Sequence, residues 1–129
     1  MTEKLRLLYV DDEDDIRSIV EMAFEDEADF ELRLCASGAA ALQTVPSYRP
    51  DLLLLDVMMP GMDGPSTLKR LRELPGFQDT AAVFITAKVQ PNEVEQLKAL
   101  GAIGVIAKPF DPMALADQVR KLWRQARGD

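Results

Sequence analysis

The feature that most constrains the fold is an alternation along the chain between short apolar runs and longer stretches with helical spacing. Near-continuous apolar runs lie at 5–10, 52–55, 81–85 and 103–107, and an alternating run lies at 30–35. Uninterrupted apolar runs of this length are typical of strands that are buried on both faces of a sheet. The sequence therefore predicts five strands, of which four are deeply buried and one is more peripheral.

Between these runs, apolar residues recur every three or four positions, as they do on one face of a helix. Pro46 is predicted to end the second helix, which Ser37 caps, and Asp111 is predicted to cap the fifth. Leu100 and Met113 are expected to face inward, whereas Arg120 is expected to face water. In chain order, the predicted helices cover residues 16–24, 39–45, 65–74, 91–100 and 112–127.

Five strands that alternate with five helices predict an α/β fold, in which helices cover both faces of a doubly wound parallel sheet. The length of 129 residues suits one domain of ordinary size. The last predicted helix reaches the end of the sequence. We therefore expect residues 1–129 to form a single domain, with no output domain in this chain.

The composition excludes several functional classes. The net charge is −7, which disfavours nucleic acid as a direct partner, and the chain contains no histidine and one cysteine, Cys35. A Cys/His metal site, an internal disulfide and a hydrolase with a histidine base are therefore excluded. Cys35 is interpreted as a small core residue. No apolar run is long enough for a membrane span, and the charged N-terminus does not resemble a signal peptide, so a cytoplasmic location is expected.

Polar side chains that suit phosphoryl chemistry follow the four most buried strands. Asp11 and Asp12 follow the first strand, Asp56 follows the third, Thr86 follows the fourth and Lys108 follows the fifth. Sites in parallel α/β sheets form beyond the carboxyl ends of the strands, close to the point where the strand order reverses. We therefore expect these five side chains to converge on one edge of the sheet.

The charges of this group indicate a divalent cation. Two carboxylates about 4 Å apart repel each other by about 4 kcal/mol at an effective dielectric constant of 20. Asp11, Asp12 and Asp56 bring three negative charges, and Lys108 returns one positive charge. Oxygen ligands without histidine or cysteine suit Mg²⁺. One carboxylate can then act as a nucleophile toward phosphorus, while the lysine and the hydroxyl neutralise the phosphoryl oxygens.

Each of these residues also has a purely structural interpretation. Acids after a strand often cap the next helix, and a single threonine or lysine often only ends a strand. Met58, Met59 and Met62 can either fill gaps in the core or form a partner-binding surface. The ordered set after four different strands is much harder to attribute to turns alone.

The ordered motifs resemble the receiver domain of bacterial two-component response regulators, in particular the single-domain chemotaxis regulators. They are Val10-Asp11-Asp12-Glu13, the segment 55–64, Ile85-Thr86-Ala87-Lys88 and Ala107-Lys108-Pro109-Phe110, and the resemblance covers essentially the whole chain. It implies a flavodoxin-like (βα)5 fold with strand order 2-1-3-4-5.

The resemblance also implies the roles of the acidic residues. Asp56 corresponds to the phospho-acceptor. Asp12 and Asp56 correspond to direct Mg²⁺ ligands, the Met58 backbone carbonyl corresponds to a third, and Asp11 acts mainly through water. The phosphodonor would be a histidine kinase or a phosphotransfer protein, and the chain would catalyse its own phosphorylation and slow dephosphorylation without turning over a separate substrate.

The same resemblance implies a switch. Thr86 corresponds to the hydroxyl that moves toward the phosphoryl group, and Lys108 corresponds to the lysine that pairs with the acceptor. The Lys108–Pro109 peptide bond would be cis. The position three residues before the lysine is often aromatic in the family, but here it is Val105, which is a departure from the pattern.

Two other functions are considered beside phosphorylation-dependent signalling. The first is a protein-interaction module of the same fold that works without phosphate, which the departure at Val105 leaves open. The second is a phosphohydrolase with an aspartyl nucleophile. Such an enzyme would need a second acid where this chain has Met58, and a cap over the substrate for which the chain has no spare length.

Overall fold

The computed structural model describes residues 4–128 and contains five strands and five helices. The strands are β1 (Leu5–Val10), β2 (Phe30–Cys35), β3 (Leu52–Asp56), β4 (Ala81–Thr86) and β5 (Gly104–Ala107). The helices are α1 (Asp14–Phe24), α2 (Gly38–Tyr48), α3 (Gly64–Arg72), α4 (Pro91–Ala99) and α5 (Leu115–Ala126). The predicted alternation of five strands with five helices is confirmed.

The strands form one parallel sheet in the order β2-β1-β3-β4-β5. This is the predicted doubly wound, flavodoxin-like topology. Two hydrophobic clusters lie on opposite faces of the sheet, one against α1 and α5 and the other against α2 and α3. Every residue of β3 is buried, as the predicted central strand requires.

The prediction that Pro46 ends the second helix is wrong, because α2 continues to Tyr48. A proline in the last turn removes only one helical hydrogen bond, the one that would reach the carbonyl of Leu42. The single proton of the Tyr48 hydroxyl is shared between the backbone carbonyls of Leu7 (3.0 Å) and Glu31 (3.2 Å). This bifurcated contact anchors the last turn of α2 against the sheet.

The start of the fifth helix also differs from the prediction. Asp111 does not cap α5, which begins at Leu115. Instead, its carboxylate accepts a hydrogen bond from the Met113 amide (2.9 Å), and its carbonyl accepts one from the Ala114 amide (3.0 Å). Met113 therefore lies in a turn rather than on the apolar face of the helix. Its side chain is 91% exposed and not buried as predicted.

Helix α4 packs less tightly than its sequence pattern predicts. None of its residues is buried, and Leu100, which was expected to face inward, is 49% exposed. Val94 and Leu97 are half-buried, so the helix rests on the sheet through a narrow contact. The third helix is also shorter than predicted, since α3 ends at Arg72.

The prediction that Arg120 faces water is wrong. Arg120 lies at the centre of a network of ion pairs between α5 and the segment before β2. Its guanidinium group donates two hydrogen bonds of 2.8 Å to Asp29 and also pairs with Glu27 and Asp117. It lies 4.9 Å from the ring centroid of Phe30. The planar, forked guanidinium suits several carboxylates at once, so Arg120 ties α5 to the segment before β2.

Two further expectations can be compared with the described residues. Cys35 is buried at the end of β2, as predicted for a core residue. Of the three clustered methionines, Met59 is buried, Met62 is half-buried and Met58 is 65% exposed. Among residues 4–128, no helix combines the length and the apolar character that a membrane crossing requires.

Candidate functional site

The carboxyl ends of the central strands bring the predicted site residues to one edge of the sheet. Val10 of β1 pairs with Leu55 of β3, so Asp11 and Asp56, which follow them, lie at the same level. Asp56 in turn lies opposite Ile85 of β4, one residue before Thr86. The parallel register therefore positions the acids and the threonine side by side.

The three predicted acids form a cluster. Carboxylate oxygens of Asp11, Asp12 and Asp56, one from each residue, all lie within 4.8 Å of one another. Asp11 and Asp56 are buried, and Asp12 is exposed. Three oxygen ligands at this spacing can hold a metal ion, and the exposed carboxylate faces the side from which an ion can enter.

Lys108 bridges the two buried acids. Its Nζ atom lies 3.1 Å from Oδ2 of Asp11 and 3.1 Å from Oδ2 of Asp56. Burial alone would lower the pKa of Lys108, but the hydrogen bonds to Asp56 and Asp11 outweigh it and raise the pKa above its ordinary value. The lysine therefore remains charged. The Lys108–Pro109 peptide bond is cis, as the resemblance implies.

The pKa of Asp56 is strongly shifted by its surroundings. Burial raises its pKa to about 6, the Lys108 hydrogen bond opposes the shift, and the charge of Asp11 adds to it. A carboxylate with a raised pKa in a concave, charged site is a candidate for a chemical role. The ionised Asp56 carboxylate is poorly solvated, and binding a cation or an electrophile would stabilise it.

Thr86 ends β4, the strand beside β3, and Met58 lies in the loop that follows β3. Thr86 is buried, and its hydroxyl oxygen accepts a hydrogen bond from the Lys88 amide at 3.1 Å. Met58 follows Asp56 by two residues and points its side chain largely to solvent.

Three residues near the site were not singled out from the sequence as contributors. The Tyr9 hydroxyl donates a hydrogen bond of 2.9 Å to Asp11, and Arg17 donates one of 2.7 Å to the Asp11 backbone carbonyl. Gly64 packs so closely that an added Cβ atom would lie 2.5 Å from the Asp56 carbonyl oxygen. The sequence could have predicted the contact of Tyr9 with Asp11, because residues two apart along a strand lie on the same face of the sheet.

The family model of the response regulator receiver domain matches residues 7–120, which is most of the chain and includes every residue of the cluster. The chain belongs to the response regulator receiver domains. Receiver domains act in two-component signal transduction and take phosphoryl groups from histidine kinases or phosphotransfer proteins. The recognition of the family from the sequence motifs is thereby confirmed.

Individual relatives support this assignment. The response regulator Rre1 of Synechocystis is 38% identical over 122 residues, which are 95% of this receiver domain and 53% of that protein. The chain therefore spans about half of that relative's length. The sporulation initiation phosphotransferase F of Bacillus subtilis is 37% identical over 121 residues, which are 94% of each chain.

A solved structure shows the same fold. The chemotaxis protein CheY4 of Vibrio cholerae superimposes with a TM-score of 0.84 at 30% sequence identity, and the alignment covers 92% of this receiver domain and 98% of that chain. The predicted strand order and the similarity to chemotaxis regulators agree with this result.

Proposed function

We propose that Asp56 is the phospho-acceptor of this receiver domain and that residues 1–129 act as one receiver unit in the cytoplasm. The observation that supports this proposal is the contact of Asp56 with Lys108 inside the acidic cluster. Asp56 is buried and has a raised pKa, and it ends the central strand β3.

In the proposed reaction, a carboxylate oxygen of Asp56 attacks the phosphorus of the donor. A bond forms between that oxygen and phosphorus, and the bond between phosphorus and the donor's histidine nitrogen breaks. The nitrogen keeps the electron pair, and the donor leaves as a neutral imidazole because the other ring nitrogen of the phosphohistidine already carries a proton. Residues 1–129 contain no histidine, so the donor histidine lies outside this sequence, on a histidine kinase or phosphotransfer protein.

Lys108 and Thr86 are proposed to stabilise the transferred group. Lys108 already contacts Asp56 through a charged hydrogen bond, so its ammonium group can follow charge that develops on the phosphoryl oxygens. Thr86 lies on the neighbouring strand, one residue beyond the level of Asp56. Its hydroxyl can move from its contact with the Lys88 amide toward a phosphoryl oxygen.

The donor set of the cluster fits Mg²⁺. All three side chains offer hard oxygen ligands, and the described part of the site holds more negative charge than Lys108 neutralises. We propose Asp12 and Asp56 as direct ligands, the Met58 backbone carbonyl as a third, and Asp11 as a residue that acts through water. When bound, Mg²⁺ would supply positive charge for the phosphoryl oxygens.

The downstream signal is proposed to depend on the segment after β4. Val105, on β5, is half-buried and short, so it cannot swing a ring into the space that Thr86 leaves. In contrast, residues 87–90 are exposed, and α4 has no buried residue to hold it in place. The loop and the first turn of α4 are therefore the elements that respond to phosphate and present a surface to a partner protein.

Phosphorylation by a small donor tests this proposal. The protein is incubated with Mg²⁺ and acetyl phosphate, and intact-mass spectrometry counts the phosphoryl groups. We expect one group on the wild-type protein and none on Asp56→Asn. Asp51→Asn is the matched control, because Asp51 lies at the other end of the same strand, where it binds Arg6. Uptake by Asp56→Asn at the wild-type level would exclude Asp56 as the acceptor.

A further inference from the structure

A tyrosine lies beneath the acidic site, within an otherwise apolar layer of the core. Tyr9 is fully buried in the cluster between the sheet and helices α1 and α5. Its neighbours across the sheet are Leu34 of β2 and Leu54 of β3. A leucine would fill this position without bringing a polar atom into the core, so the hydroxyl needs an explanation of its own.

The hydroxyl has one hydrogen-bond partner among the residues that the structure describes, and it is a site residue. Tyr9 Oη donates to Oδ2 of Asp11 over 2.9 Å. A carboxylate oxygen can only accept in this contact, so the Tyr9 hydroxyl is the donor and Asp11 is the acceptor.

Asp11 is consequently held by donors on every side. Its Oδ1 accepts a hydrogen bond from the Glu13 amide (2.9 Å), and its Oδ2 accepts bonds from both Tyr9 and Lys108 (3.1 Å). Its backbone carbonyl accepts a hydrogen bond from Arg17, and its backbone amide donates one to the Cys35 carbonyl. Little of this carboxylate is left for direct contact with a metal ion.

We propose that Tyr9 is a positioning residue for phosphoryl acceptance, whose hydroxyl fixes Asp11 Oδ2 so that Lys108 is shared between Asp11 and Asp56. This inference rests on the proposed function of Asp56. The hydroxyl satisfies part of the charge of Asp11, which weakens the hold of Asp11 on the lysine. Lys108 thereby stays within 3.1 Å of Asp56, where it is needed.

Removal of the hydroxyl has a specific consequence. In Tyr9→Phe, Asp11 Oδ2 loses one of its two donors, so the carboxylate attracts both Lys108 and a nearby cation more strongly. The lysine moves toward Asp11 and away from the acceptor, which slows phosphoryl transfer. Mg²⁺ binding, however, is unchanged or tighter, because more negative charge faces the ion. General loosening of the site would instead weaken both properties together.

The test measures the two properties separately on Tyr9→Phe. Isothermal titration calorimetry gives the Mg²⁺ affinity of the protein without phosphodonor, and phosphorylation at saturating Mg²⁺ and acetyl phosphate gives the maximal rate. We expect the rate to fall about tenfold, the effect of one hydrogen bond to a charged group, with Mg²⁺ affinity equal to or above that of the wild type.

Tyr48→Phe is the matched control. It also removes a buried tyrosine hydroxyl, but this hydroxyl binds backbone carbonyls on the opposite face of the sheet. We expect it to keep the wild-type rate and Mg²⁺ affinity. The role of Tyr9 is refuted if Tyr9→Phe phosphorylates at the wild-type rate, or if its Mg²⁺ affinity falls in parallel with its rate. Failure of the wild-type protein itself to take up phosphate would instead contradict the proposed function.

Discussion

Replacement of Asp56 by asparagine should stabilise the metal-free protein at neutral pH and have little effect in acid. The substitution keeps the shape of the side chain and removes its charge. Lys108 keeps its bond to Asp11 in the variant, so the buried ammonium group is not left without a partner. The expected increase in stability arises because the substitution removes a carboxylate that is ionised in a buried site beside a second acid.

The size of the effect follows from the pKa of Asp56. Burial raises this pKa from the ordinary value of 3.8 to about 6 in the folded protein. One pKa unit corresponds to about 1.4 kcal/mol, so full ionisation costs the folded state at most about 3 kcal/mol relative to the unfolded chain. Because Asp11 and Lys108 share in the titration, we expect a difference of about 1–3 kcal/mol.

The sign is fixed by proton linkage. Between pH values of about 4 and 6, the folded protein binds more protons than the unfolded chain, so wild-type stability falls as the pH rises through this window. Asp56→Asn lacks this titration. Its advantage over the wild type should therefore be small below about pH 4 and should reach its full value above about pH 7.

Urea denaturation in the presence of a chelator measures this difference at several pH values. Asp79→Asn serves as the control, because Asp79 is exposed in the loop before β4, and we expect it to match the wild type at each pH. If Asp56→Asn exceeds the wild type in free energy of unfolding by the same amount at acidic and neutral pH, ionisation of Asp56 is not the source of the difference. If the variant is less stable than the wild type at neutral pH, the electrostatic account of the site is contradicted.

Three other substitutions have defined outcomes. Asp12→Ala should raise the metal-free melting temperature, because it removes one of three clustered carboxylates. It should also abolish the stabilisation by Mg²⁺, and thermal melts with and without the ion measure both effects. Gly64→Ala should lower the free energy of unfolding by about 1–3 kcal/mol in urea titrations, because its Cβ atom would collide with the Asp56 carbonyl. Thr86→Ala should still be phosphorylated but should lose most phosphate-dependent NMR shifts at residues 86–94, and a full wild-type response would contradict the coupling role of Thr86.

The sequence predicted the sheet and the location of the site well, for a physical reason. Buried parallel strands must be apolar on both faces, so 52–55 and 81–85 stand out in any hydrophobicity pattern. A polar residue directly after such a run must lie at the carboxyl edge of the sheet. The convergence of Asp11, Asp56 and Lys108 follows from the strand order alone.

The features that the sequence did not predict depend on single long-range contacts. Pro46 is tolerated because the Tyr48 hydroxyl reaches backbone carbonyls of the sheet, and Arg120 is half-buried because Glu27 and Asp29, which are distant in sequence, contact it. Neither of these long-range contacts has a periodic signature in the sequence. Met113 was assigned to a helix because Asp111-Pro112 resembles a helix start, but the same dipeptide also forms the observed turn.

The distribution of burial around the site bears on how the proposed phosphorylation of Asp56 would change a surface without disturbing the fold. The acids lie at the ends of strands whose residues are almost completely buried, so repulsion between Asp11 and Asp56 cannot be relieved by moving the backbone. The repulsion between Asp11 and Asp56 can be reduced only by a bound cation, by Lys108 or by a bond from Asp56 to phosphorus. The neighbouring segment 87–90 is exposed and leads into the loosely packed α4. We therefore expect that a change of charge at Asp56 would be transmitted through Thr86 into this exposed segment.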